Sequence, residues 1–527
     1  MQRNGYRSPL AARLGGLLGV LILLGSTSLA QDVGFRGPSL AGSGPSVGTP
    51  SVTESKPESK LWFTDGHWWG SLWSASALAF RLHRLDPTTH AWIDTGIAVE
   101  SRPDSHSDAL WDGNKLYVAS HEFSTGNGSP GDPLLVLRYS YSNATKTFSL
   151  DPGFPVTIGD TSTEILVIDK DSTGTLWAVW KQAKRVRFAH TLGSDTSWSA
   201  PAILPGSDSD FDTDDICSVI HFGNRIGVMW SDQVRNSYLF STHLDGAPDT
   251  EWSAVEEATV GESDDHIHLE ADSAGRVYAA VKNGDDEIKL LVRDGTGWHQ
   301  YLVSDGSQNW TRTIVLLDEG ARTLHLFATS GATIAGGAIY TKTSSMDSIA
   351  FAPGLGTLVM QDGSGLVINN ATSTKQNLTP ESGLVVLAAN VSTAGNYWHH
   401  EVPGMTPGNG LELGMSPGIA GVENVFTATG ATPGGVVGFY SGLVLGSSTI
   451  TRPQCSAGVE IELAPPFRRL GTARANAAGV ATLRVEAPEE TAGKLFHFQA
   501  VEPVSCRASN RVDVRMTGPL SRGVRDL

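Results

Sequence analysis

The sequence predicts an all-β protein, a six- or seven-bladed β-propeller followed by a small β-sandwich. A pattern of two short strands around a Gly-containing turn recurs between residues 60 and 402, with a period of about 50 residues. Helical periodicity is almost absent from this region. Sheets that recur at such a period bury their faces only against neighbouring sheets, as the blades of a propeller do.

The repeats are clearest in five segments, in which an apolar residue anchors the second strand. These anchors are Leu116, Leu176, Ile226, Val277 and Leu324. Several repeats continue with a Trp after a turn, which predicts an outer pair of strands. Weaker copies from Lys60 and from Thr374 extend the series to seven. The sequence therefore leaves six and seven blades open.

Residues 1–30 have the features of an export signal. Arg3, Arg7 and Arg13 precede the apolar run LGGLLGVLILLG, and the small residues of Ser28-Leu29-Ala30 suit cleavage. The run is too short and too Gly-rich to span a bilayer comfortably. We therefore expect a secreted, extracellular or cell-surface protein without membrane insertion after cleavage, and an uncleaved anchor is the alternative. Residues 31–59 are rich in Gly, Ser and Pro, which predicts a flexible linker.

The pattern of residue types changes after residue 402. Residues 403–516 alternate short strands with Gly and Pro turns, which predicts an Ig-like β-sandwich, and residues 517–527 are expected to be disordered. Cys455 and Cys506 lie in this region and are suited to pair once the protein is exported. Cys217, the third cysteine, is expected to be a buried core residue.

The charge balance is acidic, with 55 Asp and Glu against 38 Lys and Arg and a formal net charge of -17. Removal of residues 1–30 takes away three arginines and no acidic residue, which makes the balance still more acidic. Such a balance disfavours nucleic acid or an anionic membrane as a general partner. We expect a polysaccharide or another glycan instead.

An ionisable residue is predicted just before the inner strand of each repeat, where it would face the central channel. These residues are Lys60, Asp108, Glu164, Asp215, His266, Arg312 and Lys375. Equivalent positions of a propeller form a ring around its axis. The ring therefore predicts either a ligand site or a set of ion pairs that fixes the blades in register.

Catalytic roles are predicted for Asp108, Glu164, Asp215 and His266. Glycoside hydrolysis needs two carboxyl groups, one as acid and one as base or nucleophile. His266 is alternatively the base that abstracts a proton beside a uronate carboxylate, the first step of a lyase. The residues expected to bind the substrate are Arg312, Lys375, Trp310, His106 and Asp265.

An acidic loop at SDSDFDTDD predicts a calcium site as an alternative to a solvated loop. Asp208, Asp210 and Asp212 stand at alternating positions, so an extended loop places their carboxylates on one side. Oxygen ligands at this density suit Ca²⁺, but the Gly and Glu of an EF-hand loop are missing. No spacing of His and Cys suggests zinc, and no cofactor is required by the sequence.

The segments DKDSTGTLWAVW and EADSAGRVYAAV resemble the repeats of the sialidase-like, BNR-repeat propeller superfamily. In that family an Asp stands two residues before the Gly of the turn, whereas Asp171 and Asp272 stand three before it. The resemblance covers about residues 60 to 402 and implies a propeller, often with a carbohydrate ligand.

Taken together, these patterns predict a secreted, carbohydrate-directed β-propeller. It would be a glycoside hydrolase or a polysaccharide lyase that acts on an acidic glycan at the mouth of the channel. The alternative is a non-catalytic propeller that binds glycans or takes part in cell-surface interactions. Carboxylates converging on a pocket would favour the enzyme, whereas carboxylates closed in ion pairs would favour the alternative.

Overall fold

The computed structural model describes residues 31–43, 52–53, 58–125, 129–207, 211–392, 394–403, 411–452, 455–476, 479–504 and 507–518. These residues form β-strands and two 3₁₀ turns, at Gly306–Gln308 and Glu489–Thr491. Within the same ranges, no helix has the length and apolar character needed to cross a membrane. The all-β class is confirmed. The predicted export signal and the end of the predicted tail lie outside the described residues.

Strand β1 (Phe35–Ser39) precedes a series of sheets that follow one another along the chain. Sheet 1 holds β2 (Leu61–Thr64), β3 (His67–Ser74), β4 (Ala79–Asp86) and β5 (Ala91–Glu100). Sheet 2 holds β6 (Ser105–Trp111), β7 (Lys115–Glu122), β8 (Pro133–Ser142), β9 (Thr147–Leu150) and β10 (Val156–Asp160). Sheet 3 holds β11 (Leu166–Lys170), β12 (Leu176–Gln182), β13 (Arg185–Ser194), β14 (Ser197–Trp198) and β15 (Ala202–Ile203).

The series continues with four further sheets of the same kind. Sheet 4 holds β16 (Cys217–Phe222), β17 (Arg225–Asp232), β18 (Ser237–Leu244) and β19 (Glu256–Glu257). Sheet 5 holds β20 (Ile267–Ala271), β21 (Val277–Lys282), β22 (Ile288–Asp294) and β23 (Gly297–Ser304). Sheet 6 holds β24 (Trp310–Asp318), β25 (Thr323–Ser330), β26 (Ala338–Ser345) and β27 (Thr357–Met360). Sheet 7 holds β28 (Ile368–Thr372), β29 (Gly383–Asn390), β30 (Asn396–Pro403) and β1.

The first strands of these sheets form a closed ring. β2 contacts β6, and the contacts continue through β11, β16, β20 and β24 to β28. Between sheets 7 and 1, the N–H groups of Lys60 and Leu61 donate to the Ser373 carbonyl at 3.1 and 2.8 Å. Antiparallel sheets arranged in this way around a centre are β-propeller-like.

Both faces of each sheet are covered by its neighbours, which explains the apolar second strands. In β12, LWAVWKQ, the first six residues are all buried. The outer strand β23, GWHQYLVS, is by contrast largely exposed or half-buried. Continuous apolar runs are expected where a strand is buried on both faces. The repeat that the sequence shows is therefore the burial pattern of the second strands.

The prediction of a flexible linker over residues 31–59 is wrong for β1, which pairs antiparallel with β30. The Phe35 ring stacks on His90 and His399, with ring centroids 4.0 and 5.2 Å apart. A Cβ on Gly37 would lie 3.1 Å from the Tyr397 Cβ, so only glycine fits this close approach without a shift. Because pairing at a sheet edge uses the backbone, a sequence poor in apolar residues can still provide this strand.

Two Asp residues hold the turns between the first and second strands of sheets 3 and 5. The Asp171 carboxylate accepts the N–H groups of Thr173 and Thr175, both at 2.9 Å, and the Trp177 indole N–H at 3.0 Å. These donors hold the pKa of Asp171 below its ordinary value, against the opposing effect of burial. Asp272 accepts the N–H groups of Ala274 and Arg276 in the same way. The repeated DSxG segments are therefore turn-forming elements.

The C-terminal region contains two sheets that share one apolar core. The first holds β31 (Glu412–Ser416), β32 (Glu423–Thr429) and β37 (Ala481–Glu486), and a separate hairpin holds β34 (Leu445–Arg452) and β35 (Cys455–Leu463). The second holds β33 (Val436–Gly442), β36 (Phe467–Arg474), β38 (Leu495–Glu502), β39 (Arg507–Ala508) and β40 (Val512–Arg515). Phe426 packs between them, with ring centroids 6.3 Å from Phe439 and 5.0 Å from Phe498.

The cysteines differ in state as the sequence predicts. Cys455 is disulfide-bonded, and Cys506 lies outside the described residues. Cys217 is free and fully buried in the core shared by sheets 3, 4 and 5. Burial raises the pKa of its thiol. Cys217 is therefore an unreactive core residue, as expected.

Asp171→Ala should lower the free energy of unfolding by about 1–3 kcal/mol, because the buried Trp177 indole and two less buried N–H groups lose a charged acceptor together. Chemical denaturation followed by tryptophan fluorescence measures the change. Replacement of the exposed Glu251 by Ala is the control and should change stability by less than about 0.5 kcal/mol. Equal effects of the two substitutions would contradict a turn-forming role for Asp171.

Candidate functional site

The ends at which the first strands begin all lie on one side of the ring, which we name the entrance side. The first strands β24 and β28 of neighbouring sheets run in the same direction, as the parallel bridge between Asp318 and Leu378 indicates. Residues at the starts of the first strands therefore come together although they are far apart in the sequence.

Asp108 lies in the interior rather than on the entrance side, because it is the fourth residue of β6 and not the residue before it. It is fully buried, and its carboxylate accepts the N–H groups of Ser59 at 2.8 Å and Ile168 at 2.9 Å. The Lys375 ammonium lies 2.8 Å from the same carboxylate and donates to the Ile168 carbonyl at 2.8 Å. Sheets 2 and 3 are thereby linked to the segment that follows β28.

The predicted register is thus wrong for Lys375, which follows the first strand of its sheet instead of preceding it. Burial raises the pKa of Asp108 to about 6, and Lys375 opposes that shift. Glu270 of β20 is also fully buried with a raised pKa, which Lys375 again opposes. One lysine thus compensates two buried carboxyl groups. This arrangement favours a structural role for Asp108 and Lys375 over catalysis or substrate binding.

On the entrance side, Glu164, Asp214 and Asp265 form what we name the acidic cluster. One carboxylate oxygen from each residue lies within 4.8 Å of those of the other two. The three residues precede the first strands of sheets 3, 4 and 5, so three different sheets contribute one carboxyl group each. Burial lowers the pKa of the neighbouring Lys181, whereas Glu164, Asp215 and Asp214 raise it. The cluster therefore combines convergent carboxylates with a nearby ammonium group.

Asp215, for which a catalytic role is predicted, is engaged in holding the loop that precedes β16. Its carboxylate accepts the N–H groups of Asp212 at 2.7 Å and Gln233 at 3.0 Å. Burial raises its pKa to about 6. Asp214, one residue earlier, supplies the carboxyl group of the cluster instead. Asp214 lies in the turn before β16 and Asp215 directly after that turn, so the two neighbouring side chains take different directions.

His266 lies just before β20, as predicted, between two acidic neighbours. Its Nδ1 lies 3.1 Å from Asp264 Oδ1 and also contacts the Asp265 carboxylate. Its Nε2 lies 3.4 Å from Thr311 Oγ1 in sheet 6. Lys282 Nζ is 3.1 Å from Asp264 Oδ2. One imidazole nitrogen is therefore held by carboxylates and the other faces the neighbouring sheet, an orientation suited to a general base.

Arg312 occupies a bulge in β24, where the pairing shifts between Thr311 and Ile314. Its φ of 54° is left-handed, as is the φ of 60° at Asn370 in the equivalent bulge of β28. This conformation is uncommon for residues other than glycine and is enriched at functional sites. Burial lowers the pKa of Arg312, against the opposing effect of Asp265 and Asp264. Its Nε meets no hydrogen-bond acceptor among the described residues.

The prediction that Trp310 binds the substrate by stacking on a sugar is wrong. It is fully buried in the core of sheets 5 and 6, where the Lys342 ammonium lies 5.2 Å from the ring centroid. A fully buried ring cannot stack on a sugar, because stacking needs an open aromatic face and not a single accessible atom. Residues alternate in direction along a strand, and Trp310 takes the side that faces the core.

His106 belongs to a separate buried group with Glu58 and His121, residues that the sequence analysis did not connect. The ring of His106 stacks on Phe123 with centroids 4.4 Å apart.

Asp208 and Asp210 of the predicted calcium loop lie outside the described residues. Asp212 is exposed, and its carboxylate accepts an N–H bond from Asp214 at 3.3 Å. Calcium at this loop stays a prediction.

The comparisons with known proteins identify no family: no family model and no curated protein matches the chain. Among solved structures, a protein of unknown function from Dyadobacter fermentans is 10% identical, with a TM-score of 0.39 over 56% of this chain and 94% of that chain. AofleA from Arthrobotrys oligospora is 10% identical, with a TM-score of 0.39 and coverages of 70% and 97%. The catalytic domain of a Coprinopsis cinerea GH62 alpha-L-arabinofuranosidase is 8% identical, with a TM-score of 0.32 and coverages of 70% and 96%.

These likenesses assign no function to this chain. The resemblance to sialidase-like repeats stays a prediction. The class that the fold defines is a β-propeller-like protein with a second all-β region at its C-terminal end.

Lys375→Met should lower the free energy of unfolding by about 3–5 kcal/mol, because it leaves the buried Asp108 carboxylate without its cation. The double variant Asp108→Asn, Lys375→Met removes both charges and should recover a large part of the loss. Urea denaturation at neutral pH measures both effects. A single variant as stable as the wild type would show that the pair does not hold the sheets together.

Proposed function

We propose that the protein is a carbohydrate-directed β-propeller of seven blades, one for each sheet of the ring, with its site on the entrance side. The observation that carries this proposal is the convergence of Glu164, Asp214 and Asp265 from three sheets. We further propose that the protein is exported and that its C-terminal sandwich is an Ig-like module that attaches or spaces the propeller. The candidate site does not depend on export or on the role of the sandwich.

The spacing of the carboxyl groups supports glycoside hydrolysis with retention of configuration. Retaining enzymes place two carboxyl groups about 5–5.5 Å apart, whereas inverting enzymes need about 6.5–9.5 Å to admit a water molecule. One oxygen of each carboxyl group in the acidic cluster lies within 4.8 Å of one oxygen of the other two, so the groups approach one another closely, as a retaining mechanism requires. In the proposed reaction, one carboxylate attacks the anomeric carbon while a second carboxyl group protonates the leaving oxygen. Water then releases the sugar.

We assign the pair to Glu164 and Asp265, with Asp214 as a third carboxylate that stabilises positive charge on the sugar. Glu164 is only 2% exposed, whereas Asp214 is exposed and so lies on the solvent side of the cluster. Asp265 also contacts His266 and thus connects the cluster to the groups of sheet 6. Developing positive charge on the sugar ring would be favoured by carboxylates in this position.

Arg312 is the proposed contact for a carboxylate or sulfate group of the glycan. A guanidinium group forms paired hydrogen bonds with such anions. Asp265 and Asp264 both act on this arginine, however, whereas Lys282 pairs with Asp264 and Lys181 lies beside the acidic cluster. The balance supports a glycan of low charge density rather than a heavily sulfated polymer.

Glu164→Gln and Asp265→Asn should each reduce hydrolysis by about 10²–10⁴-fold, the usual contribution of an acid or base group. The substrate comes from a screen of polysaccharides in which new reducing ends are followed. NMR of the first product should show the anomeric configuration of the substrate. Azide should restore turnover to the alanine variant of whichever residue is the nucleophile.

The matched control is Asp347→Asn, which removes an exposed carboxylate paired with Arg322 away from the site. This variant should keep wild-type activity, and all three variants should keep the wild-type unfolding midpoint. Hydrolysis that survives both site substitutions would contradict the assignment. Glycan binding without cleavage would leave the non-catalytic propeller as the function.

A lyase is the second candidate, and the orientation of His266 favours it. Its Nε2 faces Thr311, the residue before Arg312, so a base and an anion-binding group lie side by side. In a lyase, Arg312 would neutralise a uronate carboxylate while His266 takes the adjacent proton and the 4-linked sugar leaves. The product is an unsaturated uronate, whose ultraviolet absorbance separates a lyase from a hydrolase. His266→Gln should abolish that absorbance.

A further inference from the structure

Glu58, His106 and His121 form a buried group that neither of the proposed reactions uses, and we name it the His cluster. Their ligand atoms lie within 4.8 Å of one another. The residues are 1%, 4% and 0% exposed. Glu58 precedes sheet 1, whereas the two histidines belong to β6 and β7 of sheet 2. In the sequence they are far apart, so no spacing motif connects them.

The contacts of His121 suit a ring nitrogen that accepts on the side of Glu58. His121 Nδ1 lies 3.2 Å from the Glu122 carbonyl, a group that only accepts, so this contact is a hydrogen bond when Nδ1 carries the proton. His121 Nε2 lies 2.8 Å from Glu58 Oε1, which already accepts the Leu166 N–H at 3.0 Å. In that neutral tautomer, two lone pairs face each other at this distance. A cation bound by both atoms removes the conflict.

The second carboxylate oxygen of Glu58 points to the same conclusion. Glu58 Oε2 is buried and meets no hydrogen-bond donor among the described residues. His106 Nδ1 lies 3.8 Å from this oxygen, beyond hydrogen-bond distance. A protonated His121 would satisfy Oε1 and still leave Oε2 without a donor. A buried carboxylate oxygen without any partner is costly.

The geometry is close to that of a metal site with two imidazoles and one carboxylate. Zinc binds His nitrogen at about 2.0–2.1 Å and carboxylate oxygen at about 2.0–2.2 Å. Neighbouring ligand atoms of a tetrahedral site are then a little over 3 Å apart, between the observed 2.8 and 3.8 Å. The bond from His121 Nδ1 to a backbone carbonyl is the contact that orients metal-bound histidines.

We propose that the His cluster binds a divalent transition-metal cation of the zinc class through Glu58, His106 and His121. The bound cation joins the segment before sheet 1 to sheet 2. Sheet 3 also takes part, because Glu58 Oε1 accepts the Leu166 N–H of β11. The metal thereby fixes the point at which the chain enters the ring. This site is separate from the acidic cluster, so its test does not depend on the proposed reaction.

The test uses the full exported chain, residues 31–527, with its affinity tag removed, treated with a chelator and then loaded with Zn²⁺. Elemental analysis after dialysis should find about one zinc per chain, and loading should raise the unfolding temperature. Co²⁺ loaded in place of Zn²⁺ should give the visible absorbance of a four-coordinate site. Glu58→Gln, His106→Gln and His121→Gln should each weaken zinc binding by about tenfold or more.

His190→Gln is the matched control. Like His121, His190 has Nδ1 near a backbone carbonyl, that of Thr191 at 3.1 Å, and Nε2 at 2.8 Å from a carboxylate, that of Asp249. Its partner carboxylate is half exposed, and these residues belong to no metal-ligand cluster among the described residues. This variant should keep full zinc binding.

The proposal is overturned if the wild-type chain retains no zinc and shows no thermal shift on loading. It is also overturned if His190→Gln loses as much zinc as His121→Gln, since binding would then be unspecific. Glu58→Gln keeps the shape of the side chain, so it provides the decisive variant if a histidine substitution prevents folding. Unchanged zinc content in a folded Glu58→Gln protein would likewise contradict the site.

Discussion

Closure of the ring is the constraint on which the rest of this structure depends. Each sheet is apolar on both faces, so each needs a neighbour on either side, and a row of such sheets has no stable end. In this chain, β1 pairs with β30, and the N–H groups of Lys60 and Leu61 donate to the Ser373 carbonyl. The N-terminal segment thus completes the sheet that the end of the ring leaves open. Every later feature is positioned by this closed ring.

The closed ring also explains why polar groups concentrate at its centre. Seven first strands run in one direction, so their starts converge and their middles face one another. In the interior, Lys375 pairs with Asp108, opposes the raised pKa values of Asp108 and Glu270, and thereby links sheets. On the entrance side, the carboxylates of the acidic cluster converge from three sheets. The same geometry thus produces a structural ion pair at one level and a candidate reaction centre at another.

Two first strands each hold a residue with a strained backbone. Arg312 and Asn370 occupy equivalent bulges in neighbouring first strands, and both have a left-handed backbone. A regular strand would pair these residues in the ladder, whereas the bulge releases them from it. The surrounding sheets stabilise this conformation at a cost of about 1–3 kcal/mol for each residue. Such a cost is expected where side-chain direction matters for function.

By itself, the sequence determined the all-β class and the repeat of about 50 residues, because burial on both faces of a sheet leaves a local pattern. It also identified Glu164, Asp265, His266 and Arg312 as residues near the starts of first strands. Only the tertiary structure decided that β1 completes sheet 7, that Trp310 is buried and that Asp214 replaces Asp215. Only the tertiary structure places Glu58 beside His106 and His121. The physical reason is that the direction of a side chain and contacts between distant strands depend on register and ring closure, which local sequence does not encode.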